Sequence, residues 1–264
     1  MNPPKTFEHM VTCPKPNSQA RLRLFCFPFA GAGPWTFTSW VDGLPSDIQL
    51  ETELCSVQFP GRETNRRDHL LTRLPPLLEA LTPVFQTYLN IPFAFFGHSM
   101  GALVSFELAR QLRRQGLPGP VHMIVSGHRA PQLPDPNPAI HQLPDAEFLA
   151  KLRNLGGTPE EALQNPELME LFLPVLRADF AVCETYVYAA EEPLDCSITA
   201  FGGNCDYRVS REELSAWQAQ TCKSFLLRMF PGDHFFLQSL RVPVLQVLAE
   251  DLKKLLRRLP RDCC

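Results

Sequence analysis

The chain has 264 residues, 45% of them hydrophobic, with a formal net charge of −3 and a pI near 6.2. That length fits one large domain with a sizeable core, and the mildly acidic balance argues against nucleic acid as the main partner. No run approaches the ~18 consecutive apolar residues of a membrane-spanning helix, and the polar start from Met1 to Asn17 lacks the apolar centre of a secretory signal.

Short apolar segments rich in β-branched and aromatic residues alternate with helical patterns along the chain. The first strand is expected over 21–27 and runs into the loop Phe27-Pro28-Phe29-Ala30-Gly31-Ala32-Gly33. A second, over 53–58, leads into Pro60-Gly61-Arg62. A helical pattern follows over 75–89. Next comes a strand over 93–96, the pentapeptide Gly97-His98-Ser99-Met100-Gly101, and a helix over 100–115. Another strand is expected over 121–126. From 129 to 193 no strand candidate appears. This stretch holds nine of the chain's 26 prolines and helical patterns over 145–155, 159–164 and 166–188, with a stiff, extended entry at 131–138. Strands return at 197–201 and 225–230, separated by a helix over 211–220, and an amphipathic helix over 242–258 closes the pattern.

Buried strands alternating with helices imply an α/β fold with a mostly parallel sheet. The whole of 1–264 reads as a single domain, with 129–193 as a helical insertion placed to act as a lid. Nine cysteines are scattered without a C-x-x-C pair, which argues against a zinc site. Most lie in apolar runs and read as small core residues, and a reducing cytoplasm suits them. Cys263 and Cys264 are expected to be exposed and without a role, as no C-a-a-X box is present.

Strand, tight turn and helix are the context that a G-x-S-x-G nucleophile elbow requires. Ser99 is therefore the candidate nucleophile, and it needs a base to take its proton and an acid to fix the tautomer of that base. His234, in the loop after the last strand, is the candidate base. His9 and His69 lie in polar segments, His98 sits inside the elbow, His122 and His128 flank a strand, and His141 is in the insertion. Asp206, on the Gly-rich loop after the strand at 197–201, is the candidate acid. Asp195 precedes that strand, Asp233 adjoins the base, and Asp179 lies in the insertion, where it is expected to face solvent or an arginine. Oxyanion donors are expected from the backbone N–H of Met100 and of Ala30, with Phe29 as the competitor of the latter.

Five motifs in this order resemble the type II thioesterase family. They are Leu24-Phe25-Cys26-Phe27-Pro28-Phe29-Ala30-Gly31, Gln58-Phe59-Pro60-Gly61-Arg62, Gly97-His98-Ser99-Met100-Gly101, Gly202-Gly203-Asn204-Cys205-Asp206 and Gly232-Asp233-His234-Phe235. They span roughly 21–256, with two small departures, Ala32 in place of a glycine and Phe59 in place of a tyrosine. The resemblance implies an α/β-hydrolase fold, a Ser99–Asp206–His234 triad, and oxyanion donors at Ala30 and Met100. It also implies hydrolysis of acyl thioesters on the phosphopantetheine arm of an acyl or peptidyl carrier protein, without metal or organic cofactor. The biological role would be editing or release in polyketide, nonribosomal peptide or fatty acid synthesis.

The expected setting is a free-standing monomer in the cytoplasm, with neither nucleic acid nor membrane as partner. Arg62, Arg66 and Arg67 are candidates for the pantetheine phosphate, with loop-bracing ion pairs as the favoured reading. The basic face of the last helix (Lys253, Lys254, Arg257, Arg258) reads as ordinary amphipathic packing, with docking of an acidic carrier protein as the alternative. Two other functions use the same residues: a carboxylesterase or lipase acting on oxygen esters, and a carrier-binding protein without catalysis.

Overall fold

A computed structural model describes residues 10–62 and 70–260. Its strands are β1 (Val11–Thr12), β2 (Leu22–Phe27), β3 (Thr52–Val57), β4 (Phe93–His98), β5 (His122–Ser126), β6 (Ser197–Gly203) and β7 (Phe225–Phe230). Its helices are α1 (Trp40–Gly43), α2 (Ser46–Glu51), α3 (Leu74–Gln86), α4 (Met100–Arg114), α5 (Asp145–Leu155), α6 (Glu160–Leu163), α7 (Pro166–Glu184), α8 (Arg211–Ser215), α9 (Phe236–Ser239) and α10 (Arg241–Arg258). The seven strands form one sheet in the order β1-β3-β2-β4-β5-β6-β7. All neighbours run parallel except β1, which pairs antiparallel with β3. This is the mostly parallel sheet that the alternating pattern predicted, and its architecture is that of an α/β-hydrolase.

Side chains alternate across the sheet, as strand geometry requires. Phe25, Phe27, Phe93, Phe95, Met123 and Val125 join the core beneath α3 and α4. Leu22, Leu24, Cys26, Ala94, Phe96 and Ile124 join the opposite core, beneath α1, α2 and α10. The lysines and arginines named on α10 are exposed while Leu252, Leu255 and Leu256 are buried, the amphipathic packing expected. Lys253 pairs with Asp47 and Lys254 with Asp251. A third, smaller apolar cluster, including Phe148, Leu152, Leu163, Met169 and Leu176, holds α5, α6 and α7 together between β5 and β6.

Three readings of the sequence change. The span 211–220, expected as one helix, is α8 followed by a tighter 3₁₀ turn at Ala216–Gln220. That turn is set by tertiary hydrogen bonds from Trp217 Nε1 to the His128 carbonyl and from Gln220 Nε2 to Gln132 Oε1, each 2.8 Å. The helix expected to reach 188 stops at Glu184, where the Thr185 hydroxyl donates to the Ala181 carbonyl. The cysteines are not mainly lone core residues. Cys13 and Cys55 are joined in a disulfide that ties the chain beside β1 to β3. Cys26 and Cys196 are buried, Cys183 is half-buried, and Cys205 and Cys222 are exposed. Cys263 and Cys264 lie outside the described residues. Among those residues no helix is long and apolar enough to cross a membrane.

Candidate active site

The elbow forms because two glycines let backbone approach backbone. A Cβ on Gly97 would collide with the carbonyl of Gly101, and one on Gly101 with the carbonyl of Phe27. Between them Ser99 adopts φ 52° and ψ −119°, the one non-glycine residue with positive φ among the described residues. Such a backbone persists only where the surroundings impose it. Here the Ser99 N–H donates to the Ser126 carbonyl (2.7 Å) and the Ser99 carbonyl accepts from Ala102 (2.9 Å). Ser99 thus caps α4, and Met100 is the first residue of that helix, whose opening N–H groups lack partners within the helix.

Register brings the remaining groups to the same end of the sheet. Phe27 of β2 lies opposite Gly97 of β4, so the loop carrying Phe29, Ala30 and Gly31 begins beside the elbow. Gly203 of β6 lies opposite Phe230 of β7, so the loops carrying Asp206 and His234 emerge side by side. The Asp206 side chain is fully buried. Its Oδ1 accepts the N–H groups of Arg208 (2.8 Å) and Val209 (3.3 Å), which orients Oδ2 towards His234 Nδ1 at 2.7 Å. That bond suits an imidazole with its proton on Nδ1 and leaves Nε2 with a free lone pair. Nε2 is buried and has no hydrogen-bond partner among the described residues. Burial lowers the affinity of His234 for a proton below that of an ordinary histidine; the Asp206 hydrogen bond opposes this shift and the nearby Arg208 cation adds to it.

Ser99, His234, Ala30 and Met100 line one cavity of about 750 Å³, together with Phe29 and Arg208. Its outer wall comes from the insertion, including Pro131, Leu133, Pro138, Leu152, Leu176 and Phe180. The structure thus brings together all five residues singled out by the sequence. Of the rejected histidines, His128 also lines this cavity, with its Nδ1 bonded to the Arg129 carbonyl (2.7 Å) and burial pushing its pKa down to about 4. His98 is buried against Ser126 Oγ (2.9 Å), and burial pushes its pKa well down. Asp195 pairs with Lys223 at the surface, and Asp233 Oδ1 accepts the N–H of Phe235 (2.8 Å). Of the three arginines after Phe59, Arg62 makes the expected bracing ion pair, with Asp179, while Arg66 and Arg67 lie outside the described residues, as do His9 and His69.

Sequence reasoning gave too little weight to Asp179. It is buried on α7 and also accepts the N–H of Gly31 at 2.8 Å. The available signal was its position on the apolar stripe of the helix, three residues after Leu176 and four before Cys183. One group of possible metal ligands appears among the described residues, Cys13, Glu53 and Cys55, and its two sulfurs are taken up by the disulfide.

Comparison with known proteins agrees with this arrangement. The Thioesterase domain family model matches residues 22–254. The gramicidin S biosynthesis protein GrsT of Aneurinibacillus migulanus is 47% identical over 240 residues, covering 91% of this chain and 92% of its own. Thioesterase PikA5 of Streptomyces venezuelae is 38% identical over 225 residues, covering 85% of this chain and 78% of its own. Among solved structures, the type II thioesterase BorB of the borrelidin biosynthetic cluster superposes with a TM-score of 0.82 at 33% identity, covering 92% of this chain and 97% of its own. A family match over most of the chain, a mostly parallel sheet and one cavity lined by Ser99, His234, Ala30 and Met100 make this protein a thioester hydrolase, and the chain belongs to the thioesterase family, among its type II members.

Proposed function

We propose that this thioesterase clears acyl groups held as thioesters on the phosphopantetheine arm of a carrier protein, in the service of nonribosomal peptide or polyketide synthesis. The observation that carries the chemistry is the 2.7 Å bond between Asp206 Oδ2 and His234 Nδ1, with Nε2 unpartnered among the described residues and His234 and Ser99 lining one cavity. His234 Nε2 takes the Ser99 proton as Oγ attacks the thioester carbonyl. The Ala30 and Met100 N–H groups hold the tetrahedral oxyanion. The C–S bond then breaks, the carrier thiol leaves with the proton from His234, and an acyl-Ser99 ester remains. Water, deprotonated by His234, attacks that ester and releases the carboxylic acid and the serine. Asp206 stabilises the imidazolium in both halves. These steps call for neither metal nor organic cofactor.

Support for a role beside a synthase comes from GrsT, named as a gramicidin S biosynthesis protein, and from BorB, a type II thioesterase of a biosynthetic cluster, and the cavity is within the size range of small-molecule sites. The helices α5, α6 and α7 serve as a lid over the acyl chain. In this reading the enzyme works as a monomer, which sedimentation of the purified protein tests. The decisive experiment compares acyl-carrier thioesters of several lengths with p-nitrophenyl esters of the same acids. Faster turnover of the carrier thioesters is expected; a clear preference for the oxygen esters would overturn the assignment.

A further inference from the structure

Asp179 is a fully buried carboxylate that takes no part in the reaction steps above. Its two oxygens are divided between two distant parts of the chain. Oδ1 meets the Arg62 guanidinium, and Oδ2 accepts the N–H of Gly31 at 2.8 Å. Arg62 is itself held in place. It is buried, its Nη1 donates to the Pro60 carbonyl, and its own carbonyl accepts from Gln58 Nε2 at 2.5 Å. Gly31 follows Ala30, and its φ of 78° marks the sharp turn of that loop. One turn before Asp179 on α7, Leu176 packs against Gly31 so closely that a Cβ there would collide with it, and Leu176 also lines the cavity.

These contacts join two loops through one side chain on the lid helix. Burying an ion pair between Arg and Asp contributes little net stability, because both charges must be stripped of water. What the arrangement does supply is a fixed orientation. The N–H that Asp179 holds belongs to the peptide joining Ala30 to Gly31, and fixing that plane limits how the preceding Ala30 N–H can turn.

We propose that Asp179 is a positioning residue for the oxyanion hole, aligning the Ala30 N–H from the lid helix and itself kept in place by Arg62. The hole is then complete only while α7 is seated. This inference rests on the assignment of Ser99 and Ala30 made above.

The test uses the full chain with Asp179→Asn, Asp179→Ala and Asp179→Glu. An acyl-pantetheine thioester reports kcat and KM, and an alkyl boronic acid, whose adduct with Ser99 puts an oxygen in the hole, reports alignment. Ground-state affinity is read with the same thioester in a Ser99→Ala background. The Ala variant should lose about a hundredfold in kcat, within the range for loss of an oxyanion donor, with boronate affinity falling in parallel. Thioester affinity in the Ser99→Ala background should change less than about threefold, a split that general loss of structure does not produce. Asp179→Glu keeps the charge for Arg62 and moves the carboxylate by one methylene, so it should fold and still lose kcat and boronate affinity.

Wild-type kcat and boronate affinity in Asp179→Glu would overturn the proposal. So would a fall in ground-state affinity as large as the fall in kcat. Turnover retained by Ser99→Ala would instead sink the catalytic assignment, so the two failures are distinguishable.

Discussion

Asp206 Oδ2 lies 2.7 Å from Nδ1 of His234, and the same carboxylate accepts two backbone N–H groups of its own loop through Oδ1. The acid is therefore held by the chain that carries it rather than by the histidine it orients. Asp206→Asn should keep the fold and the loop but present the wrong hydrogen-bonding partner to the imidazole. We expect kcat to fall by on the order of 10⁴, while the melting midpoint moves by only a few degrees. Ser99→Ala should abolish turnover. Steady-state kinetics beside circular dichroism check both; wild-type rates in either variant would refute the triad.

Arg208 lines the cavity and has no hydrogen-bond or ion-pair partner through its guanidinium among the described residues. Its charge adds to the burial that depresses His234. The base must be neutral to take a proton, so activity is lost as pH falls through the His234 pKa. Arg208→Gln removes one cause of the depression, so the acid limb of the kcat/KM profile should move to higher pH. A limb that stays in place or moves to lower pH would contradict this.

His122 is buried in β5 with Nε2 3.0 Å from Thr199 Oγ1, and burial lowers its pKa to about 4. The unfolded chain binds that proton near pH 6.5, so the folded state binds fewer protons between the two values. The stability gained by keeping His122 neutral is thus fully present above pH 6.5 and is lost as pH falls towards 4. His122→Gln, which retains an amide donor, should lose less stability over that interval than the parent, by about 2 kcal/mol at the acid end. Chemical denaturation at pH 7 and pH 4.5 measures the difference.

The Cys13–Cys55 disulfide closes a loop with a sequence separation of 42. Constraining an unfolded chain of that size stabilises the fold by about 2–4 kcal/mol. Cys13→Ser, or full reduction, should therefore lower the melting midpoint by several degrees with little change in kcat, because the bond sits at the β1 edge of the sheet. Mass spectrometry of the unreduced chain should show a mass lower by two hydrogen atoms than that of the reduced chain.

Most of the sheet was legible in the sequence. Five of its strands, β2 to β6, are buried on both faces, which leaves a plain signature, and β7 keeps an apolar run although it is partly exposed. The placement of Ser99, Asp206 and His234 at one end of the sheet was legible because chain order and strand ends confine it. Other elements carried no comparable signal. Helices α1 and α2 span only four and six residues, too short to display a helical period. Strand β1 has two residues and exists through its pairing with β3. The Asp179–Gly31 bond joins residues 148 apart, and nothing near either one in the chain announces the other.

The position of β7 has a practical consequence. It is the outermost strand, paired only with β6 and partly open to solvent along most of its length, yet the loop that follows it carries His234. The nucleophile by contrast leaves β4, at the centre of the sheet. Fraying of one border strand would thus silence the enzyme while the bulk of the molecule stays folded. Heat inactivation should set in below the temperature at which helical structure melts, and a nascent chain should gain activity only once its last quarter has been made.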